Sequence, residues 1–142
     1  MPLLEQVLEK YPKDVKAVFK NFPLRNHKLA RPAAIAALAA DKQDKFWEFH
    51  DLLFENYRGL SEEKIGEIAQ KLGLDMEKFA ADKRDPQILN MIRRDVSDGQ
   101  RAGVSGTPTV FVNGRLLRNR SLRGFQTLID KSLKKTSSGK DN

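Results

Sequence analysis

The stretch with the clearest capacity for binding or chemistry is residues 103–114, which read GVSGTPTVFVNG. Residues 109–112 are apolar and mostly β-branched, which is typical of a short strand, and Asn113-Gly114 favours a tight hairpin turn. Pro108 precedes this strand, where the missing N–H of proline does little harm to a hydrogen-bonded ladder. The sequence therefore predicts a loop, a strand and a turn, with main-chain groups of the loop exposed to a binding partner.

The two histidines, His27 and His50, are candidates for acid–base chemistry or metal binding because imidazole titrates near neutral pH. His50 falls on the apolar stripe of a predicted helix with Phe46, Phe49 and Leu53, so we expect it to be packed, with a hydrogen-bonded ring nitrogen. His27, at a predicted helix start, is expected to be structural as well. The sequence contains no H-E-x-x-H, Walker, G-x-G-x-x-G or serine-hydrolase pattern. We therefore predict no catalytic residue, no metal site and no cofactor.

Cysteine is absent from all 142 residues. This excludes a disulfide scaffold and a cysteine-ligated metal. Thiol–disulfide exchange requires a thiolate that attacks a disulfide sulfur, and no other side chain substitutes for it. These residues therefore cannot carry out that reaction by themselves.

The charge of the chain is positive and uneven. The formal net charge is +7, from 26 Lys and Arg against 19 Asp and Glu. We interpret the excess as a solvated basic surface, with a polyanion-binding surface as the alternative. The one aromatic residue among the basic residues of 115–135, Phe125, lies on the predicted inner face of the last helix, which argues against nucleic acid as the partner. Over residues 115–135 the only acid is Asp130, and the basic residues are Arg115, Arg118, Arg120, Arg123, Lys131, Lys134 and Lys135.

The sequence shows no sign of a membrane-spanning or targeting segment. No apolar run approaches the roughly 20 residues that a membrane-spanning helix needs. The first residues lack the basic and then apolar layout of a signal peptide. We therefore expect a soluble chain with no membrane partner, and the sequence by itself assigns no compartment.

The periodicity of apolar residues predicts one helix, one strand, a block of helices, two strands and a final helix. Residues 2–11 have helical spacing, residues 15–19 alternate as a short strand, and residues 115–117 form the return strand of the hairpin. We predict a single domain over residues 1–135, with the helical block at about 31–102, and a disordered tail at 136–142. The predicted helix caps are Asp44, Ser61, Asp75, Asp85 and Ser121.

Several motifs resemble the DsbA-like branch of the thiol–disulfide oxidoreductases, which have a thioredoxin-like fold. They are VFKNFPL at residues 18–24, the alanine-rich helix after His27, FWEFHDLLFEN at 46–56 and GTPTVFVNG at 106–114. The similarity runs from the first residues to about Lys135. It implies an α/β thioredoxin-like fold with an inserted helical block. The redox Cys-x-x-Cys motif of the family would fall before Met1, so we expect a truncated member whose first strand is missing and whose sheet remnant has three strands.

The resemblance also implies a role for the proline loop. In the family this loop has a cis proline and contacts substrate. We therefore expect a cis Thr107–Pro108 bond, and contacts from Gly106, Thr107 and Pro108 to an extended peptide or protein substrate. The family forms, reduces or isomerises disulfides in other proteins, and its members are typically periplasmic or extracytoplasmic. Without cysteine, the chain is expected to be a catalytically silent relative.

Two other functions remain open from the sequence. One is a peptide-binding or chaperone-like module that uses the proline loop and an open sheet edge, and the other is a polyanion binder. The missing strand would leave a gap of roughly 9–10 Å between residues 15–19 and 109–112. Closure of the flanking strands, a second chain or a separate peptide would each fill it. Our hypothesis is a homo-oligomer.

Overall fold

The computed structural model of the chain describes residues 2–138. Its helices are α1 (Pro2–Lys10), α2 (Ala30–Asp41), α3 (Phe46–Glu55), α4 (Glu62–Lys71), α5 (Met76–Asp82), α6 (Pro86–Arg101) and α7 (Leu122–Ser138). A 3₁₀ turn at Tyr57–Gly59 follows α3, and two short strands, β1 (Phe111–Val112) and β2 (Arg115–Leu116), lie between α6 and α7. The predicted succession of helices, hairpin and closing helix is confirmed.

Side-chain caps start most of the predicted helices. The Ser61 hydroxyl accepts a hydrogen bond from the Lys64 N–H at 3.0 Å, and the Asp75 carboxylate accepts one from the Lys78 N–H at 2.9 Å. Asp85 and Ser121 cap α6 and α7 in the same way. Each cap satisfies one of the amide groups that a helix start leaves without an intrahelical partner. The predicted cap at Asp44 is wrong, because Asp44 adopts a positive φ of 57° in the turn before α3 and Lys45 occupies the cap position.

The sheet among the described residues has two strands instead of the predicted three. β1 and β2 pair antiparallel, with Phe111 opposite Leu116 and Val112 opposite Arg115. Asn113 and Gly114 have φ values of 46° and 77°, as a two-residue type I′ hairpin turn requires. Residues 15–19 form no strand, which corrects the prediction. Their alternation reflects partial burial of Val15 and Ala17, but a strand also needs a neighbour that supplies ladder hydrogen bonds.

The chain divides into two compact units. The hairpin unit comprises Met1–Phe19 and Gly106–Asn142, and the helical unit comprises Lys20–Ser105. The helical unit interrupts the hairpin unit in the sequence, and its bounds are wider than the predicted insertion at 31–102. That both units belong to a single domain stays a prediction.

The helical unit has a core of small and aromatic side chains. Residues 36–40 on α2 are all buried, and their small size lets α3, α5 and α6 pack closely against that helix. Phe49 on α3 and Phe79 on α5 are almost completely buried, with ring centroids 5.8 Å apart. This packing is the main source of stability of the unit.

A buried carboxylate fixes the first residues of the helical unit. Asp95, on α6, accepts hydrogen bonds from both the main-chain N–H and the side-chain amide of Asn21, each at 2.9 Å. Lys20 approaches the same carboxylate at 3.4 Å. Asn21 begins the NFPL part of the motif at residues 18–24. Asp95 therefore holds that motif in place, a role that the sequence alone did not indicate.

The hairpin unit is built around a smaller core. α1 and α7 pack against each other, and β1 packs on α7. The Tyr11 hydroxyl donates a hydrogen bond to the Asp130 carboxylate at 2.7 Å, which links the end of α1 to α7. The buried members of this core are Val7, Tyr11, Leu117, Phe125 and Ile129, with Val110 and Val112 of the hairpin packed against them.

We expect the link between Tyr11 and Asp130 to make the hairpin unit sensitive to alkali. The hydrogen bond to Asp130, followed by burial, raises the pKa of Tyr11 above its ordinary value of 10.0. Because the folded-state pKa is raised, this stabilisation is fully present below about pH 10 and is lost as the pH rises through the folded-state pKa. Urea unfolding at neutral pH and above pH 10 should show the loss.

Two variants check this alkaline prediction. Tyr11→Phe should lower stability at neutral pH and remove the alkaline loss. The chain has only two tyrosines, so Tyr57→Phe leaves Tyr11 as the only phenol. The absorbance titration of this variant should then report a raised pKa for Tyr11. A midpoint at or below 10.0 would contradict the prediction.

The last helix is longer than the sequence predicts. Residues 136–138 belong to α7, which corrects the predicted start of a disordered tail at residue 136. The hydroxyls of Thr136, Ser137 and Ser138 donate to the carbonyls four residues earlier, which is how such polar side chains are accommodated within a helix. The rest of the predicted tail lies outside the described residues.

Candidate functional site

The three predicted site residues, Gly106, Thr107 and Pro108, form one loop at the entry to β1. Thr107 and Pro108 are exposed, and Gly106 is partly buried. The Thr107–Pro108 peptide bond is cis, which is the isomer that the resemblance to the DsbA-like family implies. The structure therefore places all three residues together at the surface of the hairpin unit.

Hydrogen bonds hold this loop on both sides of Thr107. The Thr109 hydroxyl donates to the Gly106 carbonyl at 2.6 Å, and the Arg120 guanidinium donates to the Pro108 carbonyl at 3.0 Å. The Leu117 N–H donates to the Val110 carbonyl at 2.8 Å, which extends the ladder of the hairpin toward the loop. The loop is thus exposed and conformationally fixed at once.

Thr107 keeps its hydrogen-bonding groups available. Within the part of the chain that the structure describes, neither its main chain nor its hydroxyl makes a hydrogen bond. An exposed amide and carbonyl in a fixed loop can pair with the main chain of an extended segment, as in strand addition. The arrangement suits main-chain pairing with an extended segment, and Gly106, Thr107 and Pro108 carry no thiol, carboxylate, amine or imidazole.

Arg120 is the site residue that the sequence analysis missed. It was counted only as part of the basic excess, because it lies 12 residues beyond Pro108 and on the other side of the hairpin. The hairpin brings the two residues together. The only sequence signal was its place directly after a predicted hairpin, and that signal does not single out Arg120 among its neighbours.

The histidines lie outside this loop. His50 is buried, its ring lies 4.7 Å from that of Phe54, and its Nδ1 is 3.1 Å from an Asp51 carboxylate oxygen. This confirms the prediction of a packed, hydrogen-bonded histidine. His27 is exposed in the turn before α2, where its main-chain N–H donates to the Leu24 carbonyl.

The described residues contain neither a cluster of metal-binding side chains nor a helix that could span a membrane. They contain no group of three or more His, Cys, Asp or Glu side chains placed to hold a metal ion. None of the helices described over residues 2–138 is both long and apolar enough to cross a membrane.

Known proteins are similar to this chain in sequence and in fold. The sequence model of the thioredoxin family matches residues 2–131. The crystal structure of a thioredoxin-like oxidoreductase from Silicibacter pomeroyi DSS-3 superposes with a TM-score of 0.81 and 28% identity, over 94% of this chain and 77% of that chain. The predicted thioredoxin-like fold with a helical insertion is confirmed, with the two-stranded sheet described above.

Curated relatives are longer than this chain. The probable disulfide bond formation protein D of Bacillus anthracis is 34% identical over 130 residues, which cover 85% of this chain and 59% of that protein. The Na(+)/H(+) antiporter NhaA 3 of Salinispora tropica is 38% identical over 115 residues, which cover 80% of this chain and 18% of that protein. The chain thus spans about three fifths of the first relative and less than a fifth of the second. By sequence and by fold, the chain belongs to the thioredoxin-like family.

Proposed function

We propose that this chain is the substrate-binding scaffold of a DsbA-like thiol–disulfide oxidoreductase. The loop of Gly106, Thr107 and Pro108 binds an extended segment of a protein substrate, and the cysteines that exchange disulfides come from outside these 142 residues. The observation that carries the proposal is Thr107, which is exposed and, among residues 2–138, makes no hydrogen bond to the rest of the chain, in a loop fixed on both sides.

A fixed loop suits this role for an energetic reason. Ordering a flexible loop on binding costs conformational entropy, so a loop that is already held binds an extended segment more tightly. The bonds from Thr109 and Arg120 fix the loop before any substrate arrives. Main-chain pairing recognises an extended backbone and tolerates different side chains, as an enzyme with many protein substrates requires.

The scaffold also offers a place for a reactive thiolate. α1 begins at Pro2 and packs against α7 in the same unit as the loop. A cysteine at a helix N-terminus has a lowered pKa because the helix dipole stabilises the thiolate. A Cys-x-x-Cys segment joined ahead of α1 would therefore be activated by this helix.

We expect a cysteine graft to create oxidoreductase activity. A strand ending in Cys-x-x-Cys, fused ahead of Pro2, should catalyse the reduction of insulin disulfides by dithiothreitol. Thr107→Arg in the grafted chain should lower kcat/KM by about tenfold, because a bulky side chain on the loop displaces the substrate segment. The rate of insulin precipitation measures both effects.

The matched control for the graft is Thr136→Arg. Thr136 is also exposed and lies near the end of α7, so this variant adds the same charge and bulk away from the loop. It should leave kcat/KM unchanged. A folded graft with both thiols titratable but no activity above dithiothreitol alone would reject the proposal, and equal losses in the two variants would reject the assignment of the loop.

A further inference from the structure

One face of α3 exposes two large aromatic side chains with a carboxylate between them. Trp47 and Phe54 are 44% and 65% exposed, and the side chain of Asp51 is 48% exposed. Asp51 comes four residues after Trp47 and three before Phe54. Residues three or four apart on a helix are neighbours on one face, so these side chains form a continuous row along α3. We call Trp47, Asp51 and Phe54 the aromatic stripe.

A buried histidine lies beneath the aromatic stripe. The centre of the His50 ring is 5.7 Å from that of Trp47 and 4.7 Å from that of Phe54. The Nδ1 atom of His50 is 3.1 Å from a carboxylate oxygen of Asp51. His50 is only 4% exposed, so its surroundings fix it and it holds the three side chains of the stripe in place. A surface that is ordered before binding loses less conformational entropy when a partner arrives.

The helix that packs beside α3 lies on its other side. Leu52 and Asn56 line a small cavity together with Ile68 of α4. With 3.6 residues per turn, these two positions of α3 lie about 140–180° around the helix from Trp47 and Phe54. α4 therefore packs on the side of α3 away from the aromatic stripe and leaves the stripe exposed.

The charge along α3 is negative, although the formal net charge of the chain is +7. Residues 46–57 contain Glu48, Asp51 and Glu55 and no Lys or Arg. All three carboxylates belong to exposed residues. The last turn of α3 contains no basic residue, so the negative end of the helix dipole adds to this charge. This helix therefore attracts a cationic partner, which the rest of the surface on average repels.

The nearest basic residues on either side of α3 contact their own neighbours. Lys45 approaches the Glu48 carboxylate at 3.3 Å. The Arg58 Nε donates to the Tyr57 hydroxyl at 2.9 Å, and the Arg58 guanidinium lies 5.6 Å from the centre of the Tyr57 ring. The attraction between a cation and the face of an aromatic ring stabilises this arrangement. An arginine on an exposed aromatic ring thus already occurs just after α3.

Arginine is the side chain that suits a row of aromatic rings and a carboxylate. Its planar guanidinium stacks on an aromatic ring and donates parallel hydrogen bonds to a carboxylate. Lysine carries a compact charge and has no planar face. An apolar partner would cover Trp47 and Phe54, but it would also remove water from Asp51 without replacing its hydrogen bonds, which costs free energy.

We infer that the aromatic stripe binds an arginine side chain of a partner protein, presented by a basic segment of that protein. The guanidinium packs between Trp47 and Phe54 and pairs with the Asp51 carboxylate. Glu48 and Glu55 attract the other basic residues of the segment. This interaction goes beyond the function proposed above and does not depend on it, because the stripe lies within the helical unit and the proline loop lies within the hairpin unit.

Binding of two matched peptides to the intact chain tests this inference. One peptide has alternating arginine and serine residues, the other has neutral citrulline in place of each arginine, and both have blocked termini. Fluorescence anisotropy should show binding about fivefold tighter for the arginine peptide at low salt, and a smaller difference at high salt. Trp47 is the only tryptophan, so binding of the arginine peptide should also reduce the quenching of its fluorescence by acrylamide.

Two substitutions within the stripe should weaken this binding. Asp51→Asn removes one charge but keeps an oxygen for the contact with His50, and it should abolish the preference for arginine. Phe54→Ala should weaken binding of the arginine peptide by about threefold, because it removes one aromatic face. The matched control is Glu63→Gln, which also removes one exposed charge but lies on α4, and it should keep the preference. Urea unfolding of the three variants would confirm that each remains folded.

Several outcomes would overturn the inference. Equal affinity for the two peptides would do so, as would an arginine preference that survives Asp51→Asn. Acrylamide quenching of Trp47 that binding leaves unchanged would place the peptide elsewhere on the chain. Self-association of the chain that the arginine peptide disrupts would assign the stripe to a second copy instead.

The cysteine graft described above provides a further check. The arginine preference should persist in that fused chain, whether or not the graft is active as an oxidoreductase. Loss of the preference there would mean that residues joined ahead of α1 cover the stripe, and this would reject the inference.

Discussion

Gly124→Ala is expected to destabilise the hairpin unit by about 3 kcal/mol, the upper end of the usual range for overpacking. Gly124 is buried in the first turn of α7, and a Cβ atom there would lie 1.9 Å from the main-chain oxygen of Asn119. Two heavy atoms cannot approach so closely, and a main-chain oxygen cannot rotate away as a side chain would. The start of α7 must therefore shift, and with it the segment that carries Arg120. Urea unfolding followed by far-ultraviolet circular dichroism measures the loss.

The control for this prediction is the same substitution where the space is open. Gly66 lies inside α4, and a Cβ atom there would meet nothing within 4 Å. Because alanine has a higher helix propensity than glycine, Gly66→Ala should stabilise the chain by about 0.5–1 kcal/mol. If Gly124→Ala lowers stability and Gly66→Ala raises it, the close approach to Asn119 is the cause of the loss at Gly124. A neutral or stabilising Gly124→Ala would contradict the described geometry.

Phe49→Ala is expected to cost about 3–5 kcal/mol of the stability of the helical unit. The Phe49 side chain is 0% exposed and contacts the Phe79 ring at the centre of the largest core cluster. Its removal loses the burial of a whole aromatic ring and leaves a cavity that the packed alanines of α2 cannot fill. Urea unfolding monitored by Trp47 fluorescence follows this unit, since Trp47 is the only tryptophan.

A second phenylalanine on the same helix provides the comparison. Phe54 also belongs to α3 but is 65% exposed. Phe54→Ala should therefore change stability by less than about 1 kcal/mol, since surface substitutions rarely have large effects. Similar losses for the two variants would mean that burial in this structure does not describe where the core of the unit lies.

Features set by a few neighbouring residues could be predicted from the sequence. The caps at Ser61, Asp75 and Asp85 form as expected, because each carboxylate or hydroxyl reaches an amide two or three residues away. The Asn113-Gly114 turn forms for the same reason, since positive φ is a property of these two residue types. The loop of Gly106, Thr107 and Pro108 could be singled out because its signal lies in one short stretch, and its role as a binding site stays a prediction.

The strand predicted at residues 15–19 has the opposite property. Residues 15–19 have the alternation of a strand, yet a strand forms only where another segment supplies its hydrogen bonds, and the sequence does not say which segment lies beside it. The start of the tail at Thr136 was a local error that came from polar composition alone, since α7 runs to Ser138.

The sequence by itself determined the family, the order of helices, the hairpin and the absence of a thiol from these 142 residues. Only the tertiary structure decided that Arg120 holds the Pro108 carbonyl, that Asp95 accepts from Asn21 74 residues away, and that Tyr11 reaches Asp130 across 119 residues. The physical reason is the distance along the chain over which each interaction acts. Backbone propensity, capping and turn geometry act within a few residues, whereas the partner of a buried carboxylate or an exposed arginine is chosen by how the whole chain packs.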